Sequence, residues 1–316
     1  MTSTNLTNRL VPETPDTDPE DFLSSSLAVI FPDAVANQHG DADTALIYTS
    51  PVLPRPLRIQ LADPPKEEER QLFGHYLWNA SLLAAEFIEA GTAGAPAVPP
   101  AQKAAHNKTF LLSPDKAIFD VKGKHVIELG AGTALPSMMA ALLGAAQVTV
   151  TDYPSPALLA TLRDNIKNNV TRDNVPEGGA ASFCEDVVVE GHGWGEIDAF
   201  AETKRRAYDI VIAADCLWMP WQHTNLQTSI AHFLKPVSVN PSARAWVIAG
   251  FHTGRHQMRG FFDPASLAAK GLEVEHMWEV DCVGVEREWV VEREGEDVAT
   301  RRRWLAVGIL KSVAES

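Results

Sequence analysis

The sequence predicts an α/β protein built on a doubly wound, mostly parallel sheet of seven strands with an antiparallel C-terminal edge. From Lys124 onward, short apolar runs alternate with segments of helical periodicity. That alternation is typical of a parallel sheet covered on both faces. The last two strand-like runs, LEVEHMWEV (272–280) and RRRWLAVGIL (301–310), have no clear helix between them, so we expect them to pair antiparallel.

The N-terminal part of the chain predicts a small extension to this sheet. Residues 1–22 are polar, acidic and interrupted by prolines, which is typical of a disordered arm. The runs ALIYTS (45–50) and LRIQLA (57–62) predict a β-hairpin within residues 23–70. We therefore expect an arm over 1–22 and one domain over 23–313, with the hairpin as its N-terminal part.

Each element of the main sheet has its own local signal. The five earlier strands are predicted at HVIEL (125–129), QVTVTD (147–152), ASFCEDVVV (181–189), YDIVIAAD (208–215) and AWVIAGF (245–251). Helices are predicted over 71–90, 135–144, 155–170, 223–234 and 265–272. Trp78, Leu82 and Ala85 would share one face of the first helix. Ser155 and Pro156 suit the N-cap and first position of the third.

The composition argues against several classes of protein. No apolar run is long enough to span a bilayer, and the N-terminus lacks the basic and apolar regions of a secretory signal. The three cysteines are far apart, which favours a cytoplasmic protein with neither a disulfide framework nor a metal site. The net charge of -14 argues against nucleic acid as a partner. It is compatible with an ordinary acidic enzyme or with selection of basic substrates, and the oligomeric state is left open.

A glycine turn followed by an acidic residue predicts nucleoside binding. Gly130 and Gly132 follow the first strand of the main sheet, and Asp152 ends the second. A dinucleotide fingerprint would have a third glycine where Leu135 stands, which argues against NAD. A carboxylate at the position of Asp152 can accept hydrogen bonds from both ribose hydroxyls of an adenosine.

Four segments together resemble the class I S-adenosylmethionine-dependent methyltransferases, and more narrowly family 16 of that class. They are LFGHYLWNA (72–80), VIELGAGTALPS (126–137), VTDYPSPALLATLRDNIKNN (150–169), and EGHGWG (190–195) followed by YDIVIAADCLW (208–218). The chain is most similar to the fungal nicotinamide N-methyltransferase-like group, one branch of which methylates a translation elongation factor. The resemblance implies a Rossmann-like methyltransferase domain over 23–313 that methylates a lysine or N-terminal amine of a protein. A small-molecule N-methyltransferase acting on nicotinamide or another metabolite is the alternative.

The resemblance also implies which residues bind S-adenosylmethionine. They are Trp78, Glu128, Gly130, Ala131, Gly132, Asp152, Tyr153, Trp194 and Ala214. The glycine turn would wrap the methionine moiety, Asp152 would bind the ribose, and Tyr153 and Trp194 would flank the adenine. For Trp78 and Trp194, ordinary core packing is the alternative.

The resemblance further implies that Asp215 and Trp218 lie beside the methyl acceptor and act in catalysis. In family 16 this position begins an acidic-x-x-aromatic pattern that often ends in Tyr or Phe, whereas here it ends in Trp218. Asp215 could orient an amine or accept its proton, or it could cap the next helix. The segment GFHTGRH (250–256) could line the acceptor pocket, with His252 either a proton acceptor or a structural histidine. The charge-rich stretch 286–304 is expected to be a solvated loop, with a docking surface for a protein substrate as the alternative.

Overall fold

The structure, a computed structural model, describes residues 6–13, 37–71, 74–94, 114–177 and 183–313. Its strands are β1 (Leu10–Pro12), β2 (Gln38–His39), β3 (Leu46–Tyr48), β4 (Leu57–Ile59), β5 (Leu77–Trp78), β6 (His125–Leu129), β7 (Gln147–Asp152), β8 (Val188–Gly191), β9 (Ile210–Ala214), β10 (Arg244–Gly250), β11 (Leu272–Asp281), β12 (Glu286–Glu288) and β13 (Trp304–Ser312). Its α-helices are α1 (Glu67–Arg70), α2 (Asn79–Thr92), α3 (Leu135–Leu142), α4 (Pro156–Asn169), α5 (Ala199–Thr203), α6 (His223–Phe233), α7 (Arg255–Arg259), α8 (Pro264–Ala268) and α9 (Val298–Arg302). Short 3-10 helices occur at Leu6–Arg9, Lys116–Phe119, Arg172–Asn174 and Pro220–Gln222.

The main sheet confirms the predicted fold class. Its strand order is β12-β11-β13-β10-β9-β6-β7-β8. The five strands from β10 to β8 are parallel, while β13 pairs antiparallel with both β10 and β11. The sheet has eight strands in place of the predicted seven, because Glu286–Glu288 adds a short antiparallel edge. That segment is entirely charged, so it has no apolar pattern from which a strand could be predicted.

Both faces of the sheet are covered, as a doubly wound fold requires. Val126 of β6 lies in one apolar cluster with residues of α2, α3 and α4. Ile127 and Leu129 of the same strand lie in a second cluster with residues of α6 and α8. Alternate residues of a strand point to opposite faces, so β6 contributes to both halves of the core. Within the described ranges, no helix is long and apolar enough to cross a membrane.

The N-terminal segment is more ordered than its composition predicts. The predicted hairpin is present as β3 paired with β4, and β1 adds a third strand beside β3. Arg9 forms ion pairs with Glu86 and Glu89 on α2. The disordered arm predicted over 1–22 therefore does not describe residues 6–13, since these contacts hold them, while 1–5 and 14–22 lie outside the described residues.

One helix start differs from the prediction, and at another the predicted start is present without its capping hydrogen bond. The helix predicted over 71–90 begins at Asn79, because Leu77–Trp78 pairs as a strand with Gln38–His39. Trp78 is therefore extended and does not share a helical face with Leu82. Ser155 does precede α4, but its hydroxyl donates to Glu69 at 2.5 Å and forms no side-chain cap.

Candidate functional site

A cavity of ≈ 320 Å³ lies beyond the C-terminal ends of the parallel strands. This is the position at which open α/β sheets bind ligands. The structure brings ten of the eleven predicted site residues together around it: Trp78, Gly130, Ala131, Gly132, Asp152, Tyr153, Trp194, Ala214, Asp215 and Trp218. Sequence reasoning missed Met219, Gln222 and Asn225, which also line the cavity and belong to no motif.

The glycine turn after β6 leaves space that a side chain would fill. Gly130 has φ +65 and Gly132 has φ +56, a left-handed backbone that favours glycine. A Cβ on Gly130 would lie 2.9 Å from both Cys216 Sγ and Trp194 Cζ2. The absence of a side chain thus lets Trp194 lie directly over the turn at the edge of the cavity.

Gly130→Ala is expected to weaken binding of S-adenosylmethionine at least ~10-fold, because the new methyl group must displace Trp194 or Cys216. Because alanine is strained in a left-handed backbone conformation, the substitution should also lower the free energy of unfolding by about 1 kcal/mol. Gly123→Ala is the matched control, since Gly123 has φ +70 and nothing within 4 Å of its Cβ position. It should show the same loss of stability with unchanged affinity by calorimetry. Equal affinities for the two variants would contradict this account of the turn.

Asp152 connects the glycine turn to β7. Its Oδ2 accepts a hydrogen bond of 2.7 Å from the Gly132 amide, and its Oδ1 accepts one of 2.7 Å from the Tyr153 amide. Burial raises the pKa of this carboxyl to about 6, against the lowering effect of the two amides, so it is mostly ionised at pH 7. Each carboxylate oxygen can accept a further hydrogen bond, which fits the ribose hydroxyls of a nucleoside.

Three aromatic side chains provide flat walls to the cavity. Trp194 packs partly against the second apolar cluster as well as lining the cavity, so core packing and exposure to a ligand are combined there. Tyr153 is 50% exposed. The ring of Trp78 contacts that of His252 edge to face, with centroids 4.8 Å apart. These walls fit an adenine ring and a cationic sulfonium.

Glu128 is the predicted site residue that the structure places elsewhere. It is fully buried, and its Oε2 accepts hydrogen bonds from the Ser137 amide at 3.1 Å and the Ser137 hydroxyl at 2.5 Å. Burial raises its pKa to about 8. It does not line the cavity, because it lies on the same face of β6 as Val126, toward α3. In the structure its hydrogen bonds connect β6 to the first turn of α3.

A second cavity of ≈ 540 Å³ adjoins the first. Trp78, Asp215 and Trp218 line both cavities. Its other walls come from Asn37, Gln38, Phe251, His252, Thr253, Val298, Arg301 and Arg302. Of the segment 250–256, residues Phe251, His252 and Thr253 line this cavity. The two arginines of α9 were not singled out from the sequence, because no motif connects them to the site.

Asp215 is held in place by groups from the end of β10. Its Oδ1 accepts a hydrogen bond of 3.0 Å from the Gly250 amide, and the Nε2 atom of His252 lies 2.9 Å from Oδ1 and 3.0 Å from Oδ2. Its backbone has φ 62, a conformation that is costly outside glycine and concentrates at functional sites. Its carboxylate contacts Gly250 and His252, so the helix-capping alternative does not describe it.

The charge-rich segment near the C-terminus contains a buried ion network in place of scattered surface pairs. Arg255 pairs with Glu279 and Glu296, and Arg287 pairs with the same two carboxylates at 2.6 and 2.5 Å. Arg255 also lies over the Phe251 ring at 4.2 Å. The network ties the loop before α9 to β11, and α9 then forms part of the second cavity. In the described part of the chain, no cluster of His, Cys, Asp or Glu is arranged to hold a metal ion.

Comparison with known proteins agrees with this geometry. A family model described as lysine methyltransferase matches residues 63–266. The proteins named Protein N-terminal and lysine N-methyltransferase EFM7 are 28% identical over 215 residues in Gibberella zeae and 32% identical over 173 residues in Yarrowia lipolytica. These matches cover 65% and 52% of this chain, and 68% and 54% of the relatives.

A third relative of the same name, from Schizosaccharomyces pombe, is 27% identical, with 70% of this chain and 76% of its own covered. Among solved structures, SMU.776 complexed with SAH has a TM-score of 0.50 at 10% identity. That match covers 92% of this chain and 65% of the other. At this identity the likeness concerns the fold alone.

Proposed function

Because the chain belongs to the lysine methyltransferase family, we propose that it transfers a methyl group from S-adenosylmethionine to an amine nitrogen of a polypeptide. The observation that supports this proposal most directly is that two cavities share the wall formed by Trp78, Asp215 and Trp218. The first fits the cofactor, with a glycine turn, the Asp152 carboxylate and aromatic faces. The second fits the acceptor.

The shared wall suits methyl transfer. S-adenosylmethionine supplies an electrophilic methyl group on a cationic sulfur, and transfer requires the acceptor nitrogen to approach in line with the carbon–sulfur bond. Positioning therefore supplies much of the rate. The aromatic faces of Trp78 and Trp218 can each stabilise a nearby cation by ~0.5–2 kcal/mol. We propose that they hold the sulfonium and the amine next to each other where the two cavities meet.

The acceptor we propose is a lysine or an N-terminal amine of a protein, with a translation elongation factor as the first candidate. The family description and the names of the relatives support a protein acceptor, and the likeness to the fungal group supports an elongation factor. A small amine such as nicotinamide is the competing acceptor, because Trp218 departs from the Tyr or Phe expected at that position. The free, buried cysteines 184, 216 and 282 support a reducing compartment such as the cytoplasm.

Methyl labelling of a protein extract tests the proposal. Purified protein and labelled S-adenosylmethionine should label a discrete polypeptide, and peptide mass spectrometry should place the methyl group on a lysine or N-terminal amine. An Asp152→Ala variant, expected to bind the cofactor poorly, serves as the control. Label confined to a low-molecular-weight amine would contradict a protein acceptor and support the competing one.

A further inference from the structure

His252 lies in a fixed position on the wall of the second cavity. Its Nε2 atom contacts both oxygens of Asp215, at 2.9 and 3.0 Å. One edge of the ring meets Trp78. The ring also lies over Gly250, where an added Cβ would be 2.7 Å from Nε2. Contacts on these three sides leave the imidazole little freedom to rotate.

The contacts around Asp215 indicate the tautomer of the neutral imidazole. Asp215 accepts a hydrogen bond from the Gly250 amide on Oδ1, and as a carboxylate it has no proton to donate to Nε2. Nε2 must then donate to this carboxylate, so the neutral ring carries its lone pair on Nδ1. Across residues 6–13, 37–71, 74–94, 114–177 and 183–313, Nδ1 forms no hydrogen bond. It is therefore available to a group that enters the cavity.

Asp215 is less suited than His252 to take a proton from an acceptor. The Asp215 side chain is only 3% exposed, against 20% for that of His252. Its Oδ1 already accepts two hydrogen bonds and its Oδ2 faces the imidazole. Asp215 thus acts as a positioning residue, and the imidazole is the more accessible base.

We propose that His252, oriented by Asp215, is the base that removes a proton from the acceptor amine. This inference rests on the proposed function. The acceptor amine enters as an ammonium ion, one of its N–H bonds breaks, and the proton moves to Nδ1 of His252, which leaves the nitrogen with a lone pair. The nitrogen lone pair forms the new N–C bond to the methyl group as the carbon–sulfur bond breaks, and that bonding pair remains on sulfur. The proton then leaves the imidazolium for solvent.

The charges around the ring favour this role. Burial lowers the pKa of His252, but the charge of Asp215 and its hydrogen bond outweigh burial and raise it above the ordinary value, with Arg302 opposing them. Arg301 and Arg302 line the same cavity, and their positive charges disfavour an ammonium ion there. A higher pKa of His252 and a lower pKa of the acceptor ammonium bring these two values closer, which eases transfer of the proton from the ammonium to the imidazole.

The test is His252→Gln, which keeps a donor for Asp215 but cannot accept a proton. We expect kcat at pH 7 to fall ~100-fold, with unchanged affinity for S-adenosylmethionine. The wild-type kcat should decline as pH falls through the pKa of His252. The variant should instead gain about tenfold per pH unit toward the pKa of a free amine, ~10.4, because only amine that is already neutral can react.

His256→Gln is the matched control, since His256 is exposed and should retain the wild-type rate and pH profile. A His252→Gln variant with the wild-type pH profile, whatever its rate, would overturn the assignment of the base. Failure of the wild-type protein itself to methylate any polypeptide would instead overturn the proposed function. The two failures are therefore distinguishable.

Discussion

Replacing Asp152 with alanine is expected to lower the affinity for S-adenosylmethionine about 100-fold, or about 3 kcal/mol. The substitution removes the acceptor proposed for the ribose hydroxyls, and hydrogen bonds to a charged group contribute about 1.5–3 kcal/mol each. It also releases the amides of Gly132 and Tyr153 that the carboxylate holds. Isothermal titration calorimetry measures the change directly.

Two further variants show whether the loss of affinity is due to the Asp152 carboxylate. Asp164→Ala removes an exposed acid on α4 and should leave the affinity unchanged. Asp152→Asn keeps one oxygen acceptor and should fall between the alanine variant and the wild type. A wild-type dissociation constant for Asp152→Ala would mean that the nucleoside does not bind at this carboxylate.

The second large effect is expected at Arg255. Arg255→Leu should lower the free energy of unfolding by about 3–5 kcal/mol, because it leaves the buried carboxylates of Glu279 and Glu296 undercompensated. Arg287 and Arg293 still face Glu279, which favours the lower end of that range. Urea denaturation followed by fluorescence provides the measurement.

A functional consequence should accompany this loss of stability. The network holds the loop before α9, and Val298, Arg301 and Arg302 of α9 line the second cavity. We therefore expect a higher KM for the polypeptide acceptor with little change in cofactor affinity. Arg259→Leu, on the exposed face of α7, should change stability by less than about 0.5 kcal/mol. Equal effects of the two substitutions would contradict the role of the ion network.

The main sheet and the cofactor cavity could be predicted because their signals are local. Apart from β12, the strands of the sheet contain apolar runs. The glycine turn and Asp152 lie at the ends of consecutive strands, which the topology brings to one edge. Glu128 does not line the cavity, because the strand alternation that buries Val126 also turns Glu128 toward α3. That Glu128 belongs to the motif does not indicate which face of the strand its side chain occupies.

The acceptor side could be predicted only in part. Asp215 and His252 were visible as polar residues after neighbouring strands, but their mutual contact depends on the register of β9 and β10. Arg301 and Arg302 reach the second cavity through α9, whose position depends on ion pairs between Arg255, Glu279 and Glu296. Such long-range pairing leaves no periodic pattern in the sequence, so the same residues were expected to form a solvated loop.

The most direct test of the account is a crystal structure of the protein with S-adenosylhomocysteine. The account predicts ribose hydroxyls bonded to Asp152, adenine between Tyr153 and Trp194, and the sulfur facing the wall formed by Trp78, Asp215 and Trp218. The open side of the sulfur should then face the second cavity and His252. A nucleoside bound beside Arg301 and Arg302, or a ribose away from Asp152, would contradict the division of the site into a cofactor cavity and an acceptor cavity.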